Sequence, residues 1–144
     1  MGEQVFADWL GAKGYSATDY EWVSEKHARA AFDFHMKKAK WAGFPDDLLV
    51  EVKATKGILT SPIHMSMSEI KWAARHVNYI IARVYDLGTA SPRLAMLSGI
   101  HKTAGAIMAS VAKGIPKGVH IDGFEIDTSL LKIEFEDTLV AQGK

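Results

Sequence analysis

The segment DLLVEVKATKG, Asp47 to Gly57, carries the pattern from which the rest of the chain can be ordered. Within it Val50, Val52 and Ala54 alternate with Leu49, Glu51, Lys53 and Thr55, the period of two that marks a β-strand. One face is apolar, while the other sets an acid and an amine side by side. Such a pair is either solvated at a sheet surface or faced by something charged. Upstream, AFDFHMK (Ala31–Lys37) also alternates, placing Phe32, Phe34 and Met36 opposite Asp33, His35 and Lys37. The turn-rich WAGFPDD lies between the two segments, so they are expected to pair antiparallel.

Further out, residues 3–13 place Val5, Phe6, Trp9 and Leu10 at helical spacing, and Gly14 follows where a helix stops. YEWVSE (20–25) reads as a short strand. SMSEIKWAARH opens with a capping box, Ser66 and Glu69, and continues with Ile70, Ala73, Ala74 and Val77 on one helical face. YIIARVYD and PRLAMLS read as strands joined by the turn-forming LGTASP. Ala104, Ile107, Met108 and Val111 predict a helix of about two to three turns, KGIPKG ends it, and FEIDTSLLKIEFE predicts a last extended region. The order α-β-β-β-α-β-β predicts an α/β fold, a mixed sheet of about five strands flanked by helices.

At 144 residues and 48% hydrophobic content, the chain suits one domain over 1–144 with a substantial core. It has no cysteine, which excludes disulfides, thiolate metal sites and a cysteine nucleophile and fits a reducing cytoplasm. The first residues resemble neither signal peptide nor anchor, and no apolar run reaches the roughly 18 residues of a spanning segment, so a soluble cytoplasmic protein without membrane partners is expected. Seventeen basic residues balance seventeen acidic ones, leaving no global field to attract nucleic acid. Any such contact must be local. Lys37, Lys38 and Lys40 beside Trp41, in an expected loop, form the best patch, although a solvated charge run is the commoner origin of such clusters.

Paired strands bearing Asp33 and Glu51 can bring two carboxylates to one point, with Lys53 one repeat further along. Close carboxylates repel unless one is protonated or a hard divalent cation lies between them. Mg²⁺ suits such a pair, since it accepts one or two carboxylates and keeps waters and phosphate oxygens in its shell. A neighbouring lysine can orient or deprotonate water, or stabilise charge growing on a phosphorus centre.

Asp33 followed by Glu51-Val52-Lys53 resembles the PD-(D/E)xK nuclease signature. The blocks GEQVFADWLGAKGY, AFDFHM, LLVEVKATKG, MSMSEIKWAARHVNYIIARVYD and SPRLAML resemble, in order, those of the NO VEIN C-terminal-like (DUF3883) group of that superfamily, over roughly residues 2–97. Residues 98–144 add a helix and an extended C-terminal region outside the resemblance. The chain departs from the group at Ala31 and Ala54, where glycine is common, and Phe32 replaces the loosely kept proline. The resemblance implies a restriction-endonuclease-like core, Asp33, Glu51 and the Val52 carbonyl as ligands of Mg²⁺ or Mn²⁺, and Lys53 as the catalytic amine.

It further implies that Glu3 approaches the metal, although an acid there also suits the helix dipole. Glu69 has a sufficient role in its capping box. His35 shares the polar face with Asp33, and Thr55, Lys56, Ser61, His64 and Arg83 are candidate contacts to a DNA backbone; Arg83 would serve equally in an ion pair. Other tryptophans and methionines are assigned to the core, Trp41 excepted. The expected function is metal-dependent hydrolysis of DNA in restriction, defence or repair, within a larger system and as a homodimer where both strands are cut. Two alternatives stand beside it: a nuclease-fold module that binds without turnover, and a structural protein whose carboxylates are merely solvated.

Overall fold

The computed structural model describes residues 2–139. Helix α1 (Gly2–Ala12) buries Val5, Phe6, Trp9 and Leu10, the positions its periodicity marked. Each large apolar side chain so buried is worth about 2 kcal/mol, which pins the helix to the sheet. Strand β1 (Tyr20–Trp22) is shorter than expected and passes into one helical turn, α2 (Val23–Lys26). Strand β2 (Phe34–Met36) then pairs antiparallel with β3 (Leu48–Ala54), with Phe34 opposite Val50 and Met36 opposite Leu48.

From β3 the chain enters a short strand, β4 (Ile63–Ser66), and helix α3 (Met67–Arg75), before returning as β5 (Tyr79–Tyr85) parallel to β3. A parallel neighbour requires such a crossover. Strand β6 (Arg93–Ser98), helix α4 (Ile100–Ala112), strand β7 (Gly123–Ile126), a 3₁₀ turn and strand β8 (Lys132–Thr138) complete the described chain. The main sheet runs β1-β2-β3-β5-β6-β8, with every neighbouring pair but β3–β5 antiparallel; β4 and β7 form a separate two-stranded sheet. This is a mixed α/β fold with one more strand in its main sheet than expected. Among the described residues no helix is long and apolar enough to cross a membrane.

Two cores flank the sheet. Val50, Val52, Ile80, Ala82 and Met96 face α1, whereas Leu49, Tyr79, Ile81, Ala95 and Leu97 face α3 and α4. Alternation along β3 therefore sends Glu51 and Lys53 to the same side as Leu49. Residues 98–139 are not an appendage: β8 extends the main sheet from β6, and Ile100 and Ala104 of α4 are buried in the second core.

Several local expectations need correction. Val77 lies beyond the end of α3 and is 79% exposed, because the helix stops at Arg75. Phe32 precedes the regular part of β2 and packs into the α3 side rather than with Phe34 and Met36. Helix α4 has 13 residues, about three and a half turns. The extended C-terminal region divides into two strands in different sheets.

Candidate active site

Asp33, Glu51 and Arg83 are the buried charged residues of the described chain, and Asp33 and Glu51 are only 8% and 5% exposed. That burial excludes the solvated-surface alternative for the carboxylates. Asp33 is held by its own backbone, whose amide donates to the Val50 carbonyl at 2.9 Å, and by its carboxylate, which accepts the Val52 amide at 2.8 Å. A residue's N–H and C=O leave a strand on the same edge. The Val52 carbonyl is therefore directed to the edge where Asp33 lies.

Lys53 joins the acids. Its Nζ lies 3.1 Å from Glu51 Oε2 and 2.8 Å from Glu69 Oε1. Glu69 has two tasks. Its Oε1 also accepts the Ser66 amide at 2.9 Å, while Ser66 Oγ accepts the Glu69 amide at 3.1 Å, so the capping box expected from sequence is complete and its carboxylate also grips the lysine. The Lys53 and Glu69 side chains, 18% and 16% exposed, form the solvent-facing rim over the deeper Glu51.

The electrostatics follow from burial. Removal from water, followed by the charge of Asp33, pushes the Glu51 carboxyl up to about 10, so it holds a proton at neutral pH. Burial also raises Asp33, partly countered by the Val52 amide and reinforced by Glu3. For Lys53, burial alone would lower the pKa, but Glu51 and Glu69 outweigh it and the amine is raised, an ammonium throughout the neutral range.

Sequence reasoning missed several supports. Tyr79 donates its hydroxyl to the Ala31 carbonyl at 2.6 Å, fixing the backbone that leads into Asp33; burial and then the charges of Glu51, Glu69 and Asp33 raise its pKa. Its signal was a tyrosine opening a strand whose next three residues, Ile80, Ile81 and Ala82, are apolar. Glu3 accepts Trp22 Nε1 at 3.1 Å and also the Ser24 hydroxyl, so it lies at the Asp33 side while engaged with β1 and α2. Among the described residues no three His, Asp or Glu side chains converge as a ready-made metal cage.

The other candidates disperse. Arg83 corrects its expected role: it is 3% exposed, and its guanidinium donates to the carbonyls of Ser61 at 2.8 Å, Lys53 at 3.4 Å and Pro62 at 3.4 Å, with Nε unpartnered. It braces backbone, and among the described residues it pairs with no acid. Trp41 is also corrected, since its ring packs among Phe6, Trp9, Tyr15, Phe44 and Phe135 on the α1 side of the sheet. Lys37, Lys38 and Lys40 are exposed near the Met36–Leu48 end of the β2–β3 pair. Lys53 is five residues along β3 from Leu48, about 16 Å at strand rise. That separation sets the lysine patch at the far end of the β2–β3 pair from Lys53. His35 sits 2.9 Å from Asp47 rather than beside Asp33. His64 is exposed on β4, 3.6 Å from Glu125; Thr55 Oγ1 accepts the Gly57 amide at 3.0 Å, and Lys56 is exposed beside it. These last two lie just past the end of β3.

Residues 2–97 match the family model described as protein NO VEIN, C-terminal. The chain belongs to this family. Searches of the curated proteins and of the solved structures gave no match. The NO VEIN C-terminal match spans α1 through β6, and so contains every member of the acid–lysine cluster together with Tyr79 and α3. It ends before α4, β7 and β8, which complete the second core and the sheet edge without contributing a group to the cluster. Both departures at the motif are tolerated by the backbone, since the non-glycine residues with positive φ are Lys40 and Asp86, not Ala31 or Ala54.

Proposed function

We propose that this NO VEIN C-terminal domain is a metal-dependent deoxyribonuclease of PD-(D/E)xK type, cutting DNA phosphodiester bonds with Mg²⁺ or Mn²⁺. The observation that carries this is the convergence of Asp33, Glu51 and Lys53 in one buried cluster, where burial and the neighbouring Asp33 oppose ionisation of Glu51. The donor set fits a hard ion: two carboxylates and the Val52 carbonyl suit Mg²⁺, which fills its remaining positions with water and phosphate oxygens. When bound, the ion would polarise the phosphodiester and make water a stronger nucleophile.

The chain's own groups divide the remaining work. Asp33 is oriented by the Val52 amide and by the Tyr79 brace, so its carboxylate is placed before any ligand arrives. Glu51 must give up its proton to act as a ligand, which couples metal affinity to pH. Lys53, kept as an ammonium by Glu51 and Glu69, stabilises negative charge that builds on the phosphate oxygens rather than acting as the base. A role in restriction, defence or repair, within a larger system, accords with such an activity. A homodimer accords with cutting both strands.

The test is cleavage of plasmid and linear DNA with and without Mg²⁺ or Mn²⁺. Metal-dependent cleavage by the wild type and its loss in Lys53→Ala, with an unchanged circular dichroism spectrum, are expected. Equal activity in the variant would refute the assignment. A second reading, a nuclease-fold module that binds without turnover, draws on the absence of a three-ligand cage among the described residues. It is distinguished by calorimetry, because a turnover-competent site binds Mg²⁺ and loses that binding in Asp33→Ala.

A further inference from the structure

Periodicity places Trp72 in the core and a loop position among lysines sets Trp41 apart as a candidate contact, whereas the structure packs Trp41 among aromatic rings and leaves Trp72 open. Trp72 belongs to neither core cluster and is 38% exposed on α3. Its ring stacks on His76, centroids 4.5 Å apart and planes 12° from parallel, and meets Phe32 at 5.3 Å and 58°. His76 Nδ1 lies 2.9 Å from the Trp72 carbonyl and therefore donates to it, which locks the imidazole against the indole. The three rings form a fixed, partly open aromatic surface.

Its position is what gives it a ligand. Phe32 is adjacent in sequence to Asp33, and Glu69, one helical turn before Trp72 on the same face, holds Lys53. Both chain connections tie the rings to the acid–lysine cluster. Arg75 is exposed three residues after Trp72 on the same helical face, and the exposed Lys71 adds positive charge to the same helix. Aromatic faces flanked by cations are how proteins hold unpaired bases while the backbone follows the charge.

We infer that Trp72, backed by Phe32 and His76, is a stacking platform for an unpaired nucleobase of the DNA strand presented to the cluster, so that single-stranded or locally opened DNA is the preferred substrate. This rests on the nuclease proposal and narrows its substrate class. A fully paired duplex hides its base faces and gains nothing from the platform.

The experiment measures fluorescence anisotropy with a labelled twelve-nucleotide oligothymidylate and with the same length of abasic sugar-phosphate, in EDTA so that nothing is cleaved. A stacked base is worth about 1–3 kcal/mol, so the wild type is expected to bind the thymidine strand roughly 5- to 150-fold more tightly. Trp72→Ala should abolish that ratio, while Trp72→Phe should keep much of it. Equal binding of both strands by the wild type, an unchanged ratio in Trp72→Ala, or no binding of either strand would overturn the platform. Metal-dependent cleavage that Lys53→Ala abolishes would then still uphold the nuclease; absence of any such cleavage would remove the nuclease whatever the oligonucleotides do.

Discussion

Replacing Glu51 by glutamine should remove a pH dependence that the native fold imposes on itself. In the unfolded chain Glu51 ionises near the ordinary 4.5, whereas in the fold it holds its proton until about 10. Between those values the folded protein binds more protons than the unfolded one, so its contribution to stability is complete below the lower value and declines as pH rises. The slope for one group is at most about 1.4 kcal/mol per pH unit, so from pH 6 to pH 8 the wild type should lose up to about 2.7 kcal/mol relative to Glu51→Gln. Glutamine fits the same space and does not titrate, while groups shared by both proteins largely cancel in the difference. Urea unfolding of both proteins in EDTA at pH 6, 7 and 8, at one ionic strength, measures it. Parallel pH profiles, differing by less than about 0.5 kcal/mol in slope over the range, would show that Glu51 is ionised in the fold and refute the electrostatic picture of the cluster. Excess Mg²⁺ is expected to flatten the wild-type profile, since a bound cation would take the place of the proton.

Two stability predictions test the scaffold around the cluster. A methyl added at Gly2 would lie 2.6 Å from Ala54 Cβ, so Gly2→Ala should destabilise the protein by about 1–3 kcal/mol. Ala54→Gly should recover most of the loss, and strictly additive effects in the double-mutant cycle would contradict the contact. Ser66→Ala removes the cap from α3 and should cost about 1 kcal/mol by urea unfolding; a loss below about 0.3 kcal/mol would mean that Glu69 alone holds the helix start.

What the residues disclosed in advance was what repeats locally. The four buried positions of α1, the Ser66–Glu69 box and the β2–β3 pairing all follow from spacing within about a dozen residues. The pairing of β4 with β7 joins residues 63–66 to 123–126, and β8 reaches across to β6. No short-range pattern encodes such partners. Side-chain environments were hidden for the same reason: Trp41 and Trp72 each sit among basic residues in sequence, and only the rings packed against Trp41, distant Phe135 among them, separate core from surface. Arg83 reads as a cation for phosphate until the fold sets three carbonyls around it.

The acid and amine of β3 were visible because they break the rule of their surroundings. Leu48 through Val52 are all buried, so Glu51 is a carboxyl in a buried run that otherwise excludes charge. Burying ionisable side chains costs free energy that apolar side chains of similar size would not, whether or not both carry their charge. A fold under pressure for stability alone would gain nothing from Glu51 and Lys53 at these positions. It would gain still less from placing Asp33 beside them, since that carboxylate drives Glu51 further from ionisation. Glu69 offsets part of the cost for Lys53, and does so with the oxygen that also caps α3, so the crossover helix is fixed to the cluster by a single side chain. A group of charges that opposes stability, yet is braced by Tyr79, by the Val52 amide and by a helix cap, accords with the cation site proposed above.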